Sequence, residues 1–312
     1  PYVIESWDPG VQTVLVRNEN YWGEAPAIER VIILNIPEAA TQKIQLEAGD
    51  IDVAFDLGAD QVAQLEGNPY VSVYQGPSDT LIFIKGNFNE EVGGPASDPL
   101  VMKAVRAALD YEGLRALAGG SAVNPATILP VGFLGAYEAN LPVRDLEAAA
   151  ALLAEAGYGD GVELELTYPD FTYIGFNFGT FAQKIQADLA EAGITVTLNP
   201  MELQVALEAY RQGTEPFGMW LWNPDYRDSN DYIELLPEGV VGLRTGWTDA
   251  NSDDTVKAIR DEGKVETDTE ARIAIFDRMQ QYLLESGPYA PVLLRKVGIW
   301  LPIYPIKGYS IT

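Results

Sequence analysis

The sequence predicts an α/β protein, and two stretches carry that prediction. In the first, Val162, Leu164, Leu166 and Tyr168 alternate with Glu163, Glu165 and Thr167, the mark of a strand with one wet face. Phe178, Phe181, Ala182, Ile185 and Leu189 then share one helix face, and Ile194, Val196 and Leu198 follow Gly193 as another strand. Such a strand–helix–strand unit is expected to be parallel with a right-handed crossover. The second stretch is Phe217 to Tyr232, FGMWLWNPDYRDSNDY. Phe217, Met219 and Leu221 alternate along a short apolar run that ends at Trp222, which reads as a buried strand. Asn223-Pro224-Asp225 breaks it, because Pro cannot continue a central strand and Asn and Asp favour turns.

Asp225 is therefore expected just past the carboxyl end of a strand, beside Trp220, Trp222 and Tyr226. Ligands of open α/β sheets bind at that edge. The loop Pro169–Asn177, with Asp170, Phe171, Tyr173 and Asn177, is expected on the same edge. An acid framed by aromatics suits a small ligand carrying an amine or hydroxyls. The competing reading is a solvated turn whose aromatics belong to the core.

Composition narrows the function classes. The 312 residues leave room for two domains, or one large one. There are 20 Lys plus Arg against 46 acids, a net charge of -26, which argues against nucleic acid and against anionic lipid. The chain has no Cys and no His, so disulfides, thiolate sites, the Ser-His-Asp triad and the commonest transition-metal ligand are all absent. No apolar run reaches the ~18 residues that read as a membrane span. The opening at Pro1-Tyr2, without Met, reads as a fragment or a processed chain.

Taken in order, Val11–Arg17 reads as a strand, and the continuous run Val31–Ile36 as a strand buried on both faces. Glu38–Ala48 reads as a helix stopped by Gly49, and Asp60–Leu65 as a short helix. Val71, Val73 and then Leu81–Ile84 supply further strands. Asn87–Pro99, rich in Gly, Asn and Pro, reads as a connector. Asp98-Pro99 starts a helix whose apolar stripe is Leu100, Val101, Ala104, Val105, Ala108 and Leu109. Gly119–Gly135 reads as a loop, and Asp145 as the cap of a helix ending at Gly157. Residues 228–286 read as three helices, and Tyr289–Leu294 and Gly298–Leu301 as returning strands.

Five blocks in this order resemble the peptide/opine/nickel class of solute-binding proteins of ABC importers, family 5. They are PYVIESWDPG with LVRNENYWG, IPEAATQKIQLEAGDIDVA, DPLVMKAVRAALDYEGL, EAAAALLAEAGY and IQADLAEAGITVTL. Glu112-Gly113 departs from the usual ending of the third block. The resemblance implies a two-lobed periplasmic-binding-protein-like fold (type II, cluster C) with mixed sheets, N-terminally truncated so that the first part of lobe I is missing. Residues 1–87 plus 290–312 would form partial lobe I, and 88–289 the second, ligand-binding lobe. The crossings near 86–89 and 288–291 would be the hinge.

In that family an Asp after a Trp-containing strand binds the ligand's α-amino group, which carries over to Asp225. Trp222, Asp225 and Asp228 fit the spacing, with Ser229 where the family has Pro. The edge Trp220, Leu221, Trp222 and Asn223 would bond a peptide backbone, with Tyr226, Phe171 and Tyr173 completing the ligand-binding set. The implied protein is not an enzyme and carries no cofactor and no metal. It would be a monomer in the periplasm or otherwise extracytoplasmic, tethered if a lipoprotein. It would capture a peptide-like solute between its lobes and deliver it to ABC permease subunits. The alternatives are an oligosaccharide-binding member of the same family, or a carboxylate-dependent glycosidase using Asp225 with Asp228 or Glu234.

Overall fold

The structure, a computed structural model, describes residues 1–55, 57–118, 122–139, 141–173 and 176–302, with 59, 74–78 and 293–302 described by backbone alone. The part of the expected partial lobe I at 303–312 lies outside the described residues. The chain forms two compact units, Pro1–Gly76 with the stretch from Val297, and Pro77–Lys296.

In the first unit, strands β1 (Tyr2–Asp8), β2 (Gln12–Arg17) and β3 (Arg30–Leu34) form an antiparallel sheet in that order. Gly10, at φ 75°, makes the β1–β2 turn that other residues resist. Helix α1 (Ala39–Ala48) ends where Gly49 turns left-handed and its N–H reaches the Gln45 and Leu46 carbonyls. Helix α2 (Ala59–Leu65) follows, and Leu46, Ala54, Leu57, Val62, Leu65 and Val71 form a small core. The run expected to be buried on both faces is not: Ile32 and Ile33 are more than half exposed. They lie on β3, an edge strand of a sheet with only three members, so the apolar run signals a strand without signalling what covers it.

The second unit opens in β4 (Val71–Gly86), one long strand where two were expected. After the single turn α3 (Glu90–Gly93) comes α4 (Pro99–Ala108), whose first turn is capped by Asp98 accepting from the Leu100 N–H at 2.8 Å. Helix α5 (Tyr111–Leu117), the two-residue β5 (Ala122–Val123) and α6 (Leu146–Glu155) precede the predicted strand–helix–strand unit: β6 (Val162–Pro169), α7 (Phe178–Ala190) and β9 (Ile194–Met201). Between β6 and α7 lies a small ribbon, β7 (Thr172–Tyr173) and β8 (Phe176–Asn177). Next come α8 (Leu203–Gln212), β10 (Phe217–Trp222), the single turn α9 (Val240–Leu243), α10 (Asp254–Val265), α11 (Thr269–Ser286) and β11 (Tyr289–Pro302). Residues 228–286 thus hold two full helices and short turns, because Pro237 and glycines 239, 242 and 246 interrupt the region. The final strand is continuous where two were expected.

The sheet order is β5-β11-β4-β10-β6-β9. β6 and β9 are parallel, in register from Val162 opposite Ile194 to Pro169 opposite Met201, as the crossover rule requires. β10 lies parallel to β6, and β4 runs antiparallel to β10 with Trp222 opposite Leu81. Three consequences share one rim: the ends of β6 and β10 and the Asp79–Leu81 part of β4 meet there.

Alternation along β10 separates two apolar layers. Phe217 and Met219 join Ile82, Ile84, Val105, Leu166 and Ile185, while Trp220 joins Leu81, Phe83, Tyr232, Trp247 and Phe276. Arg106 is buried behind the sheet and donates to the carbonyls of Gly287 (3.1 Å), Tyr289 (2.9 Å) and Leu284 (2.7 Å). Burial lowers its pKa to about 10. Beside it the Gly86 N–H donates to the Pro288 carbonyl at 2.8 Å, so the segments 86–89 and 288–291 are neighbours.

Candidate functional site

Past Trp222 the backbone leaves the sheet, and its first anchor is the Asn223 Oδ1, which accepts from the Thr80 hydroxyl of β4. The next is the Asp225 N–H, which donates to Asp231 Oδ2 at 2.5 Å. Asp231 is buried, and burial raises its pKa. The N–H groups of Asp225 and Tyr226 offset part of that rise, while the charges of Asp225 and Glu234 add to it. Asp228 closes the loop: its N–H donates to the Tyr226 carbonyl at 2.9 Å, and its carboxylate caps the Asn230 N–H and pairs with Arg272. Backbone 223–228 is therefore held at both ends, and the side chains of Asp225, Tyr226 and Arg227 are exposed.

The predicted site residues divide into groups. Asn223, Asp225 and Tyr226 come together at the rim, with Trp222 half-buried behind them and edge-on to Tyr232 at 5.0 Å. Trp220 lies in the core, only 4% exposed, stacked on Tyr210 at 4.4 Å. Its Nε1 donates to Glu215 Oε2 at 2.7 Å. Leu221, Phe171 and Tyr173 are half-buried against the apolar layer on the other face of the sheet. Phe171 stacks on Phe178 at 4.9 Å. Asn177 caps α7, accepting from the Thr180 N–H at 2.8 Å.

Of the acids considered for paired-carboxylate chemistry, Asp228 is engaged as described and Glu234 accepts from the Val240 N–H at 2.7 Å. Among the described residues the Asp225 carboxylate takes part in no side-chain hydrogen bond or ion pair. No group of three or more acids among the described residues is arranged to hold a metal ion. An open depression of about 530 Å³ flanks the loop, bordered by Tyr226, Asp228, Asn230, Lys264, Glu266 and Arg272.

Sequence reasoning missed two features. Arg227 donates from Nε to Asp79 Oδ2 at 3.2 Å and lies over the Phe133 ring, 5.6 Å from its centroid. Its spacing of two from Asp225 was the available signal. Beneath the rim strand, Lys85 and Glu215 form an enclosed pair, 3.6 Å apart and 0% and 2% exposed. The Lys85 ammonium also donates to the carbonyls of Glu215 (3.0 Å) and Arg244 (3.3 Å). Burial drives both groups toward neutrality, Lys85 down to about 8 and Glu215 upward. A lysine inside an apolar run gave no hint of this, because its partner lies 130 residues away.

At the rim, then, an exposed carboxylate with no cation paired to it among the described residues sits above a buried second acid. That arrangement accepts hydrogen bonds from an ammonium or from hydroxyls.

Known proteins share this architecture. The chain spans about half the length of the curated relatives it matches. It is 25% identical over 294 residues to the probable D,D-dipeptide-binding periplasmic protein of Escherichia coli K12, covering 93% of this chain and 55% of that protein. It is 27% identical over 318 residues to heme-binding protein A of Haemophilus influenzae, covering 99% and 56%. The solved structure of an ABC transporter-associated periplasmic binding protein from Helicobacter pylori, in complex with the peptide STSA, superposes with a TM-score of 0.84 at 22% identity, over 97% of this chain and 58% of that one. This establishes the two-lobed binding-protein fold, of which the chain supplies part. The family described as "Bacterial extracellular solute-binding proteins, family 5 Middle" matches residues 1–240, and the chain belongs to it.

Proposed function

We propose that the protein is the solute-binding component of an ABC importer and that its ligand is peptide-like, held by its amino end at Asp225. It binds without turnover and passes the ligand to membrane permease subunits from an extracytoplasmic position, as a monomer. In this reading residues 1–87 with 290–312 contribute to one lobe and 88–289 to the other. The rim residues Asn223, Asp225 and Tyr226 face the ligand, with Trp222 behind them. Trp220, Leu221, Phe171 and Tyr173 support the rim from the layers below.

One observation carries the reading: the Asp225 carboxylate stands exposed at the end of β10 without a hydrogen-bond or ion-pair partner among the described residues, while its own N–H is fixed by Asp231. A placed acceptor with no internal cation is what an ammonium ligand requires. Asp228 and Glu234, the two partners considered for a glycosidase, are engaged by Asn230, Arg272 and Val240, and the membership in a family of binding proteins supports the same choice.

Calorimetry on the full-length protein tests it. A charge-assisted hydrogen bond contributes about 1.5–3 kcal/mol, so Asp225→Asn should weaken peptide binding about ten- to a hundredfold. Acetylating the peptide's amino terminus should cost the wild type a similar factor and the Asn variant much less, since both changes remove one interaction. Additive losses would show that Asp225 does not hold the amine.

A further inference from the structure

Ser229 stands at the foot of the 223–228 loop, in a backbone that is ready for proline. Asp228 before it is extended, at φ -141° and ψ 145°, which is the conformation a following proline imposes. Ser229 is the first residue of a 3-10 turn, Ser229–Leu235, where a missing N–H costs nothing. Its own N–H donates to no acceptor among the described residues. What serine adds is a hydroxyl, 0% exposed, which donates to the Leu134 carbonyl at 2.7 Å. That carbonyl belongs to a turn, 133–137, which is itself fastened to α11. Gln280 of α11 donates from Nε2 to the Gly135 carbonyl at 2.8 Å and accepts from the Tyr137 N–H at 3.2 Å. The Tyr137 hydroxyl donates to Asp277 of the same helix. Gly135, at φ 76°, lets the turn approach so closely that a Cβ there would lie 3.2 Å from that of Phe276. The helix also reaches the loop directly, since Arg272 pairs with Asp228. Two adjacent residues are thus fixed to α11, Asp228 through a partly exposed ion pair and Ser229 through a buried hydroxyl and the turn it holds.

We propose that Ser229 is a positioning residue of the rim: its bond to Leu134 does the holding that a proline ring would do at this position, and through the 133–137 turn it sets the loop that carries Asp225. The two devices differ in kind. A proline ring restricts φ in the unfolded chain as well as the folded one. The hydroxyl acts only when the turn is in place, so the loop is held by a contact that can open without unfolding the layer beneath it. Opening leaves the serine hydroxyl and the Leu134 carbonyl without each other, which favours the closed form. The effect on ligand binding rests on the rim reading proposed above, whereas the holding of the loop stands apart from it.

The test is native-state amide hydrogen exchange on the full-length wild type, Ser229→Ala and Ser229→Pro, read at the Asp225 N–H, whose bond to Asp231 reports the closed loop. Ser229→Ala removes the hydroxyl and keeps the backbone free, and should speed that exchange about three- to tenfold, the worth of one neutral hydrogen bond. Amides of β6 and α7 should stay within about twofold of the wild type, since the opening is local. Ser229→Pro also lacks the hydroxyl but restricts φ, and should bring the Asp225 exchange back to within about twofold of the wild type. Calorimetric titration with trialanine should show the same order, with Ser229→Ala weaker by about three- to tenfold and Ser229→Pro close to the wild type. Unchanged exchange at Asp225 in Ser229→Ala, or a rise spread evenly over β6 and α7, overturns the positioning role. A Ser229→Pro variant as fast as Ser229→Ala, or unfolded, overturns the equivalence with proline. Faster exchange with unchanged trialanine affinity overturns the link to binding. Failure of trialanine to bind the wild type counts against the peptide reading, and the exchange rates then decide the role of Ser229 by themselves.

Discussion

Lys85→Met removes the cation from an enclosed pair that sits under the rim strand and joins β4, the segment before β10 and the turn at Arg244. At 3.6 Å and an effective dielectric constant near 20, the attraction between the charges is about 5 kcal/mol. Each buried ion, however, costs several kcal/mol to desolvate, and that cost dominates here: burial lowers Lys85 to about 8 and raises Glu215. The pair as a whole therefore contributes little net stability, while either ion alone is costly. Lys85→Met should destabilise by about 3–5 kcal/mol in urea unfolding at pH 7, because Glu215 loses its counter-charge. Adding Glu215→Gln, which keeps an acceptor for the Trp220 N–H, should recover at least about half of the loss. The pH dependence has a definite sign. The Lys85 pKa is depressed when folded, so its contribution is complete above the unfolded value of 10.5 and is lost as pH falls through about 8. The wild type should thus gain on Lys85→Met by up to about 3 kcal/mol between those two limits, from the shift of 10.5 to about 8. A single variant within 1 kcal/mol of the wild type, or a double variant no better than the single, refutes the reasoning.

Two further outcomes follow from the same layer. Gly218→Ala would place a Cβ 2.9 Å from Glu215 Oε2 and 3.3 Å from Trp220 Nε1, and should cost about 1–3 kcal/mol in the same unfolding assay. A loss below 0.5 kcal/mol would mean that the pair relaxes freely. Tyr232→Phe removes a buried hydroxyl that has no partner among the described residues, so it should leave stability within about 1 kcal/mol of the wild type, on the stabilising side. A larger loss in thermal unfolding would reveal a partner for that hydroxyl.

The parts of the fold set by local pattern were legible. Alternation in 162–168 and 194–198 identified strands and, through the crossover rule, their parallel pairing. Asn223-Pro224 marked the end of β10, and Asp98 and Asp145 marked helix starts. What depends on distant partners was not legible. The burial of Trp220 is decided by Glu215 and Tyr210, not by its neighbours in the loop motif. Phe171 and Tyr173 share the strand-end rim with Asp225 yet lie on the other sheet face, since parity along a short ribbon cannot be read through a loop. Helices α5 and α8 escaped notice because their buried faces comprise only Tyr111 with Leu114 and Ala206 with Tyr210, and the other apolar residues of Tyr111–Leu117 and Leu203–Gln212 do not extend those two faces into a stripe. Asp231 drew no separate reading from the sequence, since its burial and its bond to the Asp225 N–H depend on how the loop folds back.

The anchoring of the 223–228 loop has a consequence for how such a protein diversifies. Its conformation is held by Thr80, Asp231 and Asp228, none of which needs to touch a solute. The side chains at 225 and 226 face outward, while Arg227 is exposed but rests on the Phe133 ring and pairs with Asp79. Substitutions at exposed positions of this kind usually change stability by no more than about 0.5 kcal/mol. The two adjacent positions 225 and 226 can therefore be rewritten, in charge and in shape, on a backbone that stays in place. A scaffold built this way presents a new surface chemistry by exchanging a few side chains, with no repacking beneath them. Among the relatives above, one is named for a D,D-dipeptide and another for heme.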